Sequence, residues 1–240
     1  MSAAQLGLFA APPLRGWPRL QAFLVDHIKR AALRQLHASR AGELLLLRIY
    51  LIGEEATEQT LQHEMLANPP AWLERQVQQH LREEQEHSAL FAAAMRERGM
   101  QPPSELRADR LSQAKIRRWQ HIARCYAPHF QQGVLVPAYA IGLCAEQMAE
   151  RVLSRHCAVL PAEHPLQGLL GRVLADERKH VRMCLRTLGL SVAAHEQPHL
   201  QQLLAEARAV DRAWGVTGAL GMYLAGIALR LRGKWQRAHG

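Results

Sequence analysis

An all-α bundle is the fold this sequence predicts, and three observations carry the prediction. Val- and Ile-rich runs with period-two alternation are absent, so nothing reads as a half-buried strand. Leu, Ala, Gln, Glu and Arg dominate the long stretches instead, and all are good helix formers. Breaks at Asn68-Pro69-Pro70, Gly99 to Pro103, Pro128, Pro161 to Pro165 and Pro198 then cut those stretches into helix-sized pieces. The chain has 240 residues, 48% hydrophobic and 21% charged, which is enough to bury a core and excludes a disordered chain.

The elements follow in order. Residues 1–16 read as a flexible N-terminal segment and 17–240 as a single helical domain. The N-terminal stretch lacks a basic region, and Pro12-Pro13 interrupt its short apolar run, so it does not read as a signal peptide. Helices are expected at 17–38, 40–57 and 71–98, the last ending at Gly99. Ser104 is placed to cap a helix over 104–126, after Pro102-Pro103. Further helices are expected at 134–158, 165–188 and 197–232. Within the last, Ala213 to Leu229 carries no charge over 17 residues, and Arg230, Arg232, Lys234 and Arg237 follow it. Its glycines dilute the apolar run, so a core helix or one lying on a membrane surface fits better than a span. The net charge of +9 favours anionic surfaces, phospholipid or nucleic acid. Four scattered cysteines, Cys125, Cys144, Cys157 and Cys184, form no Cys-x-x-Cys pair, so a zinc ribbon is excluded and a reduced, cytoplasmic protein is expected.

Carboxylates and histidines on these helices form an ordered set. Glu43 precedes four leucines, and Glu84 and His87 stand three apart in Glu-Glu-Gln-Glu-His. Glu146 lies in an apolar run, and Glu177 and His180 stand three apart in Asp-Glu-Arg-Lys-His. Read along the chain, the order is Glu, Glu-x-x-His, Glu, Glu-x-x-His. Residues i and i+3 share a helix face, so each pair offers an oxygen and a nitrogen to one side. Four carboxylates and two imidazoles match two divalent cations, and burying them without metal would be very costly. This is the ligand order of ferritin-like di-iron and di-manganese bundles. Glu146 to Glu177 spans 31 residues with a turn near its middle, as two antiparallel helices require, whereas Glu43 to Glu84 spans 41. A third pair, Glu196-x-x-His199, contains Pro198 and reads as the chance match that this composition produces about once.

The chain here resembles the ferritin-like di-iron carboxylate superfamily, and locally the demethoxyubiquinone hydroxylase family. The residues that carry the likeness are Ala41-Gly42-Glu43 and Arg48-Ile49-Tyr50, with the ligand order above. Ser39-Arg40 stand where that family has Asp-His, and the first spacing is about eleven residues longer. The resemblance implies a metal site of Glu43, Glu84, His87, Glu146, Glu177 and His180 holding two irons, with manganese as the alternative. It implies an O2-dependent hydroxylase, with an apolar, quinone- or lipid-like substrate, an external electron donor, and association with the inner face of a membrane. A tRNA-modifying di-iron hydroxylase and a ferroxidase or iron-storage protein are the rival readings, nucleic acid being the less favoured partner.

Other residues are read beside this set. Glu83 and Asp176 each precede a motif and could orient a histidine of the opposite one. Tyr50 shares the face of Glu43 and could lie near the metals. His80 shares the face of Glu84 and His87 and reads as surface or supporting rather than as a ligand. Cys144 reads as a small core residue. Glu150 reads as solvated or loosely paired, with an extra-ligand role as the alternative. Arg107, Arg110, Lys115, Arg117 and Arg118 with Trp119 read as a solvated basic face. Gln5 to Phe9 is similar to a sliding-clamp-binding peptide, a match too short to carry weight.

Overall fold

The computed structural model describes residues 9, 11, 13–61, 69–102 and 110–239, with the side chains of 234 and 236–239 left aside. It is all-α, and helix packing is consistent with a bundle. We label seven helices: α1 Trp17–His37, α2 Arg40–Thr60, α3 Ala71–Glu97, α4 Arg110–Tyr126, α5 Leu135–Cys157, α6 Gln167–Ser191 and α7 Gln197–His239. No strand occurs among the described residues. The expected boundaries hold to within a few residues, except that α7 runs on to His239 and that the expected start of α4 lies outside the described residues. The expected cap Ser104, the link 62–68 and Gln5 to Leu8 lie outside the described residues.

The chain forms two compact units. One comprises 17–108, 155–171 and 215–240; the other comprises 1–16, 109–154 and 172–214.

In the first unit, α1 turns sharply into α2. Ser39 caps α2, its side chain accepting from the Gly42 N–H at 3.1 Å. The turn demands Gly42, because a Cβ there would stand 2.0 Å from the Leu36 carbonyl oxygen. That approach sets His37, the last residue of α1, beside Glu43 in the first turn of α2. The partners of α2 and α3 then run antiparallel: Glu58 meets Gln85, Glu54 meets His87, Tyr50 stacks on Phe91 and Glu43 meets Arg98. Gly99, at φ +69, takes the left-handed backbone just beyond the end of α3. Leu33, Leu36 and Leu46 form the core here, packed by Leu45, Val159, Met222 and Leu229. Each such buried leucine contributes about 2 kcal/mol.

In the other unit, α4 and the first half of α7 are antiparallel. Trp214 donates to the Leu111 carbonyl, Lys115 pairs with Asp211 at 2.8 Å, and Trp119 donates to the Ala207 carbonyl. Lys115 also sits 4.3 Å from the Trp119 ring centroid, so these two members of the basic stretch point inward rather than to solvent. Glu196 is buried and accepts the backbone N–H groups of Gln131 and Ala193, so the third Glu-x-x-His pair serves a turn. Phe9 is buried, and its carbonyl accepts from Arg208. Cys144 is buried as expected of a core residue, and burial pushes its thiol up to about 11. A stretch of α7 is long and apolar enough to cross a membrane by length and composition, yet only 11% of it is buried.

Candidate metal centre

Both units bury glutamate and histidine side chains that are among the candidate metal ligands of the described residues.

The first group lies on α2 and α3. Glu84 and His87 are one helical turn apart and each is 1% exposed. Across from them on α2 stands Glu54, with a carboxylate oxygen 3.5 Å from His87 Nδ1. Glu54, Glu84 and His87 offer ligand atoms that all lie within 4.8 Å of one another. His80, one turn before Glu84, is buried too, and its Nε2 is 3.0 Å from Glu84 Oε1. It therefore belongs to the group rather than to the surface.

The second group lies on α5 and α6. Glu146, Glu177 and His180 are all buried. His180 Nδ1 is 3.7 Å from Glu146 Oε2 and 4.0 Å from Glu177 Oε2. The group thus repeats the first: a lone glutamate on one helix opposite a Glu-x-x-His on the next.

Glu43 stands elsewhere. It lies eleven residues before Glu54, three turns away on the same face of α2. Its carboxylate is held by Arg98 at 2.7 Å, His37 at 3.2 Å and His164 at 3.0 Å. Burial alone would raise its pKa, but the hydrogen bonds from Arg98 and His37 outweigh that and hold it below the usual range. The glutamate of α2 that meets His87 is Glu54, not the expected Glu43. A spacing signal marked it: Glu54 to Glu84 spans 30 residues, close to the 31 between Glu146 and Glu177, and the excess in the first spacing is the distance from Glu43 to Glu54.

The remaining candidates fall as follows. Tyr50 is one turn before Glu54, and its hydroxyl is 2.6 Å from His156 Nδ1. Burial raises its pKa well above that of a free phenol. Glu83 accepts from Gln79 at 3.1 Å, and Asp176 pairs with Lys179 at 2.6 Å. Glu150 pairs loosely with Arg178 at 3.3 Å on the exposed side of its helix. His37, His156 and His164, which sequence reasoning passed over, gather around Glu43 and Tyr50; no motif spacing announces them, because 119 and 121 positions separate the partners.

No protein-family model, no curated protein and no solved structure matches the chain.

Proposed function

We propose that the two groups act together as one dinuclear non-haem iron centre in a ferritin-like bundle, and that the protein is an O2-dependent hydroxylase of an apolar substrate. The observation that carries this reading is the repetition itself. Glu54 with Glu84-x-x-His87, and Glu146 with Glu177-x-x-His180, are two buried sets of the same composition and nearly the same spacing. Burying two acids beside an imidazole on a helix pair is costly unless their charge is compensated, and a metal ion is the compensation this composition suits. Four carboxylates neutralise two divalent ions, and mixed oxygen and nitrogen donors suit iron or manganese.

Glu54, Glu84, Glu146 and Glu177 would supply the oxygen ligands, and His87 and His180 the nitrogen ligands. His80, hydrogen-bonded to Glu84, would orient that carboxylate. Bound iron would supply the reduction of O2 and the oxidation of substrate, with electrons from an external donor. The chain's own part is to fix ligand geometry on two rigid helix pairs and to keep water away, which the 1–8% exposure of these side chains supports. The uncharged stretch of α7, little of which is buried, supports a lipid-like substrate and a peripheral position at the inner membrane face.

Metal analysis tests the reading. After anaerobic loading with Fe(II), the wild type is expected to retain about two irons per chain, falling towards zero in Glu84→Ala and in His180→Ala. Unchanged content in both variants, or no stoichiometric iron in the wild type, refutes it. Many irons per chain would mark a ferroxidase store instead. Product analysis with candidate quinols, O2 and a reductant follows.

A further inference from the structure

Outside the two buried groups, four side chains of the first unit form an unbroken line of hydrogen bonds: Glu43, His37, His156 and Tyr50. His37, Glu43 and His164 are close enough together to hold a cation as well. The tautomers decide between a cation and a proton. His164 Nδ1 accepts the Leu166 backbone N–H at 3.2 Å, so its proton is on Nε2, which donates to Glu43. A nitrogen bearing that proton has no lone pair for a metal. Glu43, ionised beside Arg98, can only accept, so His37 donates to it from Nδ1. His37 Nε2 is then bare and must accept from His156 Nε2, which faces it. His156 Nδ1 is bare in turn and accepts the Tyr50 hydroxyl proton. Each imidazole is neutral, with one donor and one acceptor. Burial, with His37 and His164 adding to it, holds His156 down to about 3, in keeping with that state.

We propose that Glu43, His37, His156 and Tyr50 are a proton relay joining the more exposed Glu43–His164 end to the layer beside Glu54 and His87. Tyr50 lies one turn from Glu54 and stacks at 5.1 Å on Phe91, one turn from His87. At the other end the Glu43 and His164 side chains are 15% and 19% exposed, while His156 is 1% exposed. One cycle moves a single proton and no electrons. Tyr50 gives its proton to His156 Nδ1, His156 passes its Nε2 proton to His37 Nε2, and His37 passes its Nδ1 proton to Glu43. Tyr50 is then reprotonated from its buried side, Glu43 releases its proton to water, and both imidazoles, left as the opposite tautomers, turn over before the next proton passes. The use of the relay, carrying to water the protons that buried ligands release as metal binds, rests on the function proposed above; the relay itself does not.

The test is exchange of the Tyr50 hydroxyl proton with water, followed by nuclear magnetic resonance in the metal-free full-length protein. If the relay operates, His37→Gln and His156→Gln slow this exchange by about a hundredfold, the low end of what a positioned proton acceptor contributes. A merely structural role predicts the opposite, because loosening the packing admits water and speeds exchange. Glu43→Gln, which keeps the shape and removes the carboxylate, is the second variant and is also expected to slow it. Unchanged or faster exchange in these variants overturns the proposal, as does a wild-type ring nitrogen spectrum showing His156 protonated on Nδ1. Iron content separates the two readings. Slowed exchange in a chain that binds no iron leaves the relay standing and removes the centre; normal iron with unaffected exchange removes the relay alone.

Discussion

Glu43 and Glu54 share one face of α2, three turns apart, and they meet different partners. Glu43 is met by a guanidinium and two histidines, and each contact is a hydrogen bond. Glu54 is met by His87 and shares its group with Glu84, a second buried acid. The protein supplies its own cation to the first carboxylate and gathers further acid around the second. The difference teaches where an external cation would have most effect: Glu43 already holds a guanidinium, whereas at Glu54 two carboxylates and an imidazole are buried close enough together to share a metal ion.

The comparison can be broken most directly by charge-neutral substitution at both positions. Glu54→Gln is expected to lower retained iron by about half or more, since a ligand is lost, while Glu43→Gln leaves the iron content as in the wild type. Equal loss in both would erase the distinction. Arg98→Ala tests the completed carboxylate. It is expected to cost about 1.5–3 kcal/mol in denaturant unfolding, the range for a hydrogen bond to a charged group. Most of that cost should vanish when Glu43→Gln is added, because no charge is then left behind.

Acid sharpens the contrast further. His156 binds its proton near 6.5 when unfolded and at about 3 when folded. The unfolded chain therefore takes up this proton first, and stability falls as pH drops from 6.5 towards 3, by up to about 1.4 kcal/mol per pH unit. Glu43, held low in the folded state, adds a loss as pH falls below 4.5. Melting temperatures measured between pH 7.5 and about 4.5 should show this decline, and His156→Gln should flatten its upper part. A wild type equally stable across that window would contradict the buried neutral imidazole. The smallest effect belongs to Glu150→Gln. Its pair with Arg178 is exposed, so stability should move by less than about 0.5 kcal/mol and iron content not at all. A drop in iron would revive Glu150 as a ligand.

Much of this was legible in the residues themselves. The helices follow from proline and glycine punctuation between runs of strong helix formers, and their ends fall close to those expected. Glu84 with His87, and Glu177 with His180, share helix faces because three residues make nearly one turn, whatever the fold. The choice between Glu43 and Glu54 was not legible from helical pattern. Residues eleven apart on a helix face the same way, so both glutamates satisfy the same periodicity. Glu43 even has the more apolar neighbours, four leucines, while Glu54 sits beside Glu55 in a polar stretch. What distinguishes them is the register of α2 against α3, which brings Arg98 to the one and His87 to the other. Equal spacing within the two halves was the one available clue.

The relay illustrates the remaining gap. His37 ends α1, His156 lies in the last turn of α5 and His164 follows in the loop, so no local pattern links them. They meet because Gly42 lets α1 turn tightly against α2 and because the segment 155–171 packs in the same unit. The sequence alone determined which helices exist and which face of each carries acid and imidazole, because a helix fixes those relations within a few residues. Which acid met arginine, which met histidine, and which histidines lined up to share protons were decided only by packing. Those are contacts between positions far apart in the chain, set by helix register and one close backbone approach.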